Sequence, residues 1–211
     1  AKNIEAAGAD GLELNISHFP QGGDRDIRDI ERRYARTVEE VCSRVKIPVA
    51  VKIGPYFTSI TEVVHDLAAA GACAVVLFNR FYMVDIDIER KQFTPATALS
   101  NPEDIYLPLR WLGLLAGNVT CDLAASTGIH DARGVIKALM AGASAAYLCT
   151  ALYRNGISFL DKIRRELTEW LDDNGYASIS GIRGAAGCNT GNADILLYRL
   201  QYIKALEDTA T

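Results

Sequence analysis

The chain has 211 residues, 49% of them hydrophobic and 23% charged, a balance that excludes a wholly disordered chain and suits one domain with its own core. Its 22 Lys and Arg against 26 Asp and Glu leave a net charge of −4, so a nucleic-acid partner, which needs clustered cations, is not expected. No apolar run approaches the roughly 20 residues that span a bilayer. The five cysteines (Cys42, Cys73, Cys121, Cys149 and Cys188) are odd in number and lack a CxxC pair; they read as reduced thiols of a cytoplasmic protein, with neither a disulfide framework nor a metal site.

In chain order, one short element recurs. Ala7-Gly8-Ala9 precedes DGLELN, Ala70-Gly71-Ala72 precedes CAVVLFN, and Ala141-Gly142-Ala143 precedes SAAYLCT. Each Gly follows a helix-like pattern, where a left-handed residue closes a helix, and a short apolar run suited to a buried strand comes next. Two more such runs, Val49–Ile53 and Thr120–Ala125, lie between them. The resulting period of roughly 31–36 residues is that of a strand–helix unit. Strands are expected near 10–15, 49–53, 74–78, 120–125 and 145–149.

Ile30, Tyr34, Val38, Val41 and Val45 form one helical stripe, and Ile60, Val63, Val64, Leu67 and Ala68 a second. Asp131 is placed to cap a third helix through Val135, Ile136 and Leu139; a fourth carries Leu160, Ile163, Leu167, Trp170 and Leu171 and stops at Gly175. Residues 80–104 break the rhythm, and the alternation of Ile86, Ile88 and Phe93 predicts a short hairpin over the top of a strand. Gly181 to Asn192, with four glycines, predicts a mobile loop before a last helix near 194–206. Strands alternating with helices imply a parallel sheet with right-handed crossovers, either a barrel or a doubly wound sheet.

The polar strand ends favour a barrel. Alternation in 10–15 sends Leu12 and Leu14 towards the helices and Glu13 and Asn15 inward. Lys52 shares the inward parity in its strand with Ala50, and in the next strand Val75, Leu77 and Asn79 are assigned inward. Asn15, Lys52 and Asn79 then converge at the C-terminal ends of their strands, the face where barrel active sites sit. Lys52 reads either as a structural partner of Glu13 or as a cation aimed at an anionic or electron-rich ligand. Asn15 and Asn79 either cap their loops or bind a planar ligand through donors and acceptors.

Ser126-Thr127-Gly128-Ile129-His130-Asp131 and Leu148-Cys149-Thr150-Ala151 both run from a strand end to a helix start. Each is a simple capped turn or half of a phosphate pocket built from backbone N–H groups, including those of Gly128, Ile129, Cys149 and Thr150. His18, three residues past Asn15, is either an exposed loop histidine or a general acid–base.

ELNISHFP, IPVAVKIGPYFTS, VVLFNRF, AASTGIHDARGVIKALMAGASA and LCTALYRNG, in this order and spacing, resemble dihydroorotate dehydrogenase and the dihydroorotate dehydrogenase-like flavoproteins. The resemblance implies an α/β fold, the (β/α)8 TIM barrel, with residues 1–211 forming the C-terminal portion of a single FMN-binding domain. The five strands correspond to barrel strands four to eight, so strands one to three are expected to precede Ala1.

It further implies FMN as cofactor, with Lys52 against the flavin and Asn15 and Asn79 holding flavin and substrate. Thr127 and Gly128, with Ile129, and the Cys149–Thr150 turn would hold the FMN phosphate, the backbone donors at Thr127 surviving its side chain if φ stays negative. The implied reaction is oxidation of a CH–CH group, dihydroorotate to orotate in pyrimidine biosynthesis, with an electron acceptor as second substrate. A cytoplasmic homodimer is expected. His18 stands at the position of the family's base, with Ser17 as the alternative, and Pro20 replaces an asparagine. Arg80 follows Asn79 and is placed either to clamp a substrate carboxylate or to fill the pocket. The rival readings are a related flavoprotein acting on another small substrate, and a flavin-free phosphate-binding barrel lyase or isomerase.

Overall fold

In a computed structural model, residues 1–18, 26–80 and 83–186 are described. A short helix α1 (Lys2–Ala6) leads into β1 (Leu12–Asn15), then α2 (Ile27–Cys42), β2 (Val49–Ile53), α3 (Ile60–Ala69) and β3 (Ala74–Leu77). An antiparallel hairpin, β4 (Val84–Asp87) with β5 (Gln92–Pro95), and a 3-10 turn at Pro102–Ile105 come before α4 (Tyr106–Leu115). The chain resumes with β6 (Asp122–Ser126), α5 (Ala132–Met140), β7 (Ala145–Tyr147), α6 (Thr150–Asn155), α7 (Phe159–Asp173) and α8 (Ile179–Ile182).

The main sheet has the order β1-β2-β3-β6-β7, every neighbour parallel. This is the chain order expected of a barrel segment; a doubly wound sheet reverses midway. All five strands lie where the Ala-Gly-Ala period puts them.

The three glycines do the same work. Gly8, Gly71 and Gly142 stand at φ +89, +104 and +109. The residue after each sends its N–H back into the closing helix: Ala9 to Ile4 O, Ala72 to Leu67 O and Ala143 to Ala138 O, at 3.3, 3.0 and 3.0 Å. This helix-closing bond needs the left-handed φ that glycine adopts without strain. Helix starts are capped as well. Asp26, Ser59 and Asp131 accept from the N–H of Arg28, Glu62 and Gly134.

One sheet face packs on the helices. Val51, Ile53, Val75, Leu77, Leu123 and Ala125 join Ile60, Val64, Leu67, Val135 and Leu139 in a single core. The opposite, inner face follows from the register, which sets Glu13 beside Ala50, Asn15 beside Lys52, Lys52 beside Val76, Val76 beside Ala124, and Ser126 beside Tyr147.

This register corrects the sequence reading of β3. Val76 faces inward, whereas Val75 and Leu77 belong to the helix-side core. The run Val75-Val76-Leu77-Phe78 is apolar throughout and carries no alternation from which parity could be read.

Three helix expectations also change. Val45 lies past the end of α2, which stops at Cys42. Gly181 sits inside α8 and not in a loop, and residues 187–192 of the expected loop lie outside the described residues. Helix α4 was not anticipated, and the last helix near 194–206 falls outside the described residues. The hairpin stands where predicted, with Val84, Ile86, Ile88 and Phe93 strongly exposed. Among the described residues no helix is long and apolar enough to cross a membrane. Cys42, Cys73, Cys121 and Cys149 are free thiols, and burial pushes those of Cys42 and Cys121 upward.

Candidate functional site

At the C-terminal ends of the strands a cavity of about 160 Å³ is lined by Lys52, Asn79, Arg80, Ser100, Ser126, Thr127, Gly128, Ile129, Tyr147, Cys149 and Thr150. Residues from four strand ends and the excursion thus meet at one place. Asn15 joins through its side chain, since Asn79 Nδ2 donates to Asn15 Oδ1 at 2.8 Å. The two amides therefore orient each other across β2, although the strand alternation used to place Asn79 ends at Leu77.

Lys52 is half-buried on the inner face, and its Nζ lies 5.6 Å from the centre of the Tyr147 ring. Among the described residues no ion pair joins it to Glu13. The Tyr147 phenol is pushed up to about 12, first by burial and then by the nearby Glu13 carboxylate.

The first turn departs from the expectation of a negative φ. Thr127 stands at φ +82 and Gly128 at φ +77. A β-branched residue is strained in this region, at a cost of order 1–3 kcal/mol. Thr127 Oγ1 donates to Phe78 O at 3.2 Å, which helps to hold the turn against the end of β3. Gly128 has no room for a side chain, because a Cβ there would lie 2.1 Å from Ile105 N. The turn is thus pressed against the 3-10 turn ahead of α4.

The second turn is fixed by hydroxyls. Thr150 Oγ1 accepts from Ser100 N at 3.1 Å and from Ser100 Oγ at 3.0 Å, while Ser100 Oγ lies 3.0 Å from His130 Nε2. This buried chain ties the excursion to both turns. Cys149 caps α6 without a side-chain bond.

Arg80 is held by the protein. Its Nη1 donates to Thr97 O and Ala98 O, both at 3.0 Å, and its Nε lies 3.4 Å from Asp104. It forms part of the pocket wall and ties the two stems of the excursion. The loop after β1 is anchored at its root, where His18 N donates to Tyr34 Oη at 2.8 Å. Burial raises the Tyr34 phenol and the bond from His18 lowers it, the rise prevailing. Ser17 is exposed on the same loop, and Pro20 lies outside the described residues.

Nine of the residues singled out in the sequence line the cavity: Lys52, Asn79, Arg80, Ser126, Thr127, Gly128, Ile129, Cys149 and Thr150. Sequence reasoning missed Ser100 and Tyr147. Inward parity counted along Ala145-Ala146-Tyr147 would have found the tyrosine, whereas nothing local marks Ser100, which arrives by the path of the excursion. No cluster of three or more His, Cys, Asp or Glu among the described residues is placed to hold a metal ion.

A family profile described as dihydroorotate dehydrogenase matches residues 1–171. Among curated proteins, the catalytic subunit of dihydroorotate dehydrogenase B (NAD(+)) from a Geobacter species is 31% identical over 191 residues, covering 85% of this chain and 60% of its own length. The same subunit from Pelobacter propionicus is 30% identical over 184 residues, covering 84% and 60%. That from Thermoplasma volcanium is 29% identical over 194 residues, covering 87% and 62%. The chain thus spans about three fifths of the length of the curated relatives it matches. The parallel strands in chain order are a portion of the TIM barrel on which this family is built, and the chain belongs to the dihydroorotate dehydrogenase family.

Proposed function

We propose that the chain carries the cofactor and substrate face of an FMN-dependent dihydroorotate dehydrogenase, oxidising dihydroorotate to orotate in pyrimidine biosynthesis. The observation that supports this reading best is the convergence of Lys52, Asn79, the Thr127–Gly128 turn and the Cys149–Thr150 turn on one cavity.

The donor set fits FMN. Its phosphate calls for N–H and O–H donors at strand-to-helix turns, which residues 128–129 and 149–150 offer. Its ring system calls for amides and a cation, which Asn15, Asn79 and Lys52 offer. Bound there, FMN supplies a two-electron acceptor for hydride. Lys52 places positive charge where the reduced ring becomes electron-rich. Asn15 and Asn79 are locked by their mutual hydrogen bond, and their remaining polar atoms would hold flavin and substrate. His18 takes the proton from the substrate carbon beside the carbonyl, with Ser17 as the other candidate on that loop. Arg80, engaged by Thr97 O, Ala98 O and Asp104, holds the substrate side of the wall in shape.

The relatives are named as catalytic subunits, and on this reading the chain too works with an electron acceptor or a partner subunit. A homodimer is part of the proposal, and the exposed apolar face of the hairpin is the surface it would bury.

Lys52→Ala tests the assignment. Weaker flavin retention and slower anaerobic bleaching by dihydroorotate are expected, on the order of tenfold for loss of one charge-assisted contact. Unchanged flavin content together with an unchanged bleaching rate removes Lys52 from the site. A protein that retains no flavin supports instead a phosphate-binding lyase or isomerase.

A further inference from the structure

A hydroxyl carries one proton and two lone pairs, so a chain of hydroxyls has a direction, which its end group sets. Ser100 and Thr150, both buried, line the cavity, and half-buried His130 follows Ile129 of its wall. Ser100 Oγ donates to Thr150 Oγ1 at 3.0 Å and so spends its proton. Towards His130 Nε2, also 3.0 Å away, Ser100 Oγ can then only accept, and Nε2 must carry hydrogen. Thr150 Oγ1 accepts from Ser100 N as well, at 3.1 Å. Both of its lone pairs are therefore occupied, and among the described residues no acceptor takes its own proton. The chain has one other direction. With Nε2 bare, Ser100 would donate to the ring and Thr150 to Ser100, and the cavity would meet a threonine lone pair.

We propose that His130 is the positioning residue of an anion site in the cavity: its Nε2–H, acting through Ser100, leaves the Thr150 hydroxyl as a donor to a phosphate monoester. An ionised phosphate oxygen accepts hydrogen bonds and repels a lone pair, so bound phosphate favours this direction over the other. Ligand and Nε2 hydrogen are thus linked through two hydroxyls, each polarising the next. The inference rests on the phosphate half of the FMN reading and adds to it a residue that does not line the cavity.

The test uses the whole chain with 15N-labelled histidine at one fixed pH. The chain has 3 histidines, so His18→Ala and His65→Ala identify the signals of the His130 ring. Ring nitrogens with and without hydrogen resonate far apart. With inorganic phosphate or FMN bound, His130 Nε2 should be of the hydrogen-bearing type, and a bare Nε2 overturns the proposal. The signal should also move on saturation with either ligand in the starting protein and stay still in Thr150→Val. A shift of equal size in both overturns the relay.

Affinity for FMN, by fluorescence quenching, gives the second readout. Thr150→Val should weaken binding about tenfold, as for loss of one hydrogen bond to a charged group. His130→Phe should cost about threefold, the share of one neutral hydrogen bond, and His130→Gln, which keeps an N–H donor, should stay within about twofold. In the Thr150→Val background, His130→Phe should cost nothing further. Equal losses in both backgrounds, or glutamine as weak as phenylalanine, overturn the role of His130. FMN that binds without any response of His130 overturns the relay and leaves the cofactor reading standing. Phosphate that binds and moves His130 in a protein that takes no FMN does the reverse, and binding of neither removes both.

Discussion

Gly128→Ala is expected to destabilise the protein by roughly 3 kcal/mol or more and to abolish ligand retention at the cavity. Two costs add. The added Cβ would stand 2.1 Å from Ile105 N, 2.6 Å from Asp104 C and 2.7 Å from Ile105 Cα. These are backbone atoms, which cannot swing aside as a side chain would, so relief requires moving the 3-10 turn and with it the start of α4. Overpacking of this kind costs about 1–3 kcal/mol, and an alanine at φ +77 adds about 1–2 kcal/mol. In a domain of this size about 3 kcal/mol lowers Tm by roughly 6–12 °C.

Gly175 supplies the control. It closes α7 in the left-handed conformation, with φ +74 and Tyr176 N donating to Leu171 O, but a Cβ there meets nothing within 4 Å. Gly175→Ala should therefore show the backbone cost alone, about 1–2 kcal/mol, with the cavity intact. Thermal melts of the two variants measure the difference, and equal melting temperatures would mean that the close approach at Ile105 does not constrain the turn.

His18→Ala should cut the rate of flavin reduction by dihydroorotate about 10²–10⁴-fold, the usual share of a positioned base, while leaving FMN bound. A neutral imidazole accepts a proton near pH 7 without assistance, whereas the Ser17 hydroxyl needs a base of its own. The loop bearing both begins at Asn15, inside the site, and is moored to α2 through the bond from His18 N to Tyr34 Oη. That bond uses the backbone of residue 18, so alanine preserves it and the loss can be assigned to the ring. Anaerobic stopped-flow reduction of His18→Ala and Ser17→Ala separates the two. A full rate in the first and a large loss in the second passes the proton to Ser17.

The framework was legible because its signals are local. A helix that must close and turn into a strand needs a left-handed residue, and Gly8, Gly71 and Gly142 mark the three places by sequence alone. Asp131, too, reveals itself as a cap from type and position. Where side-chain direction depends on a neighbouring strand, the text is silent. Val75 and Leu77 read as inward-facing because four apolar residues in a row look alike from either side, and only the pairing of Val76 with Lys52 settles which of them turns inward.

The candidate site divides in the same way. Residues at strand ends, such as Lys52 and Cys149, were readable. Ser100 was not, because its place beside Thr150 is set by the route of an excursion whose length the sequence gives but whose path it does not. Thr127 shows a third limit. Its type suggested a negative φ, yet the packing of the turn against Phe78 O and Ile105 prevails over that preference.

The excursion is fastened in a way that separates the continuity of the chain from the integrity of the site. At its base, Arg80 grips Thr97 O and Ala98 O, Ala96 N bonds to Met83 O, and Ser100 is clasped by Thr150. At its far end, Arg90 and Lys91 sit exposed on a four-residue tip beyond β4 and β5. A brief exposure to trypsin should sever the tip first. The two halves should then elute together under native conditions and part only in denaturant, with the cavity still in working order. The covalent link across the hairpin tip is dispensable once the chain has folded, and the molecule would behave as a two-piece protein held by its own staples.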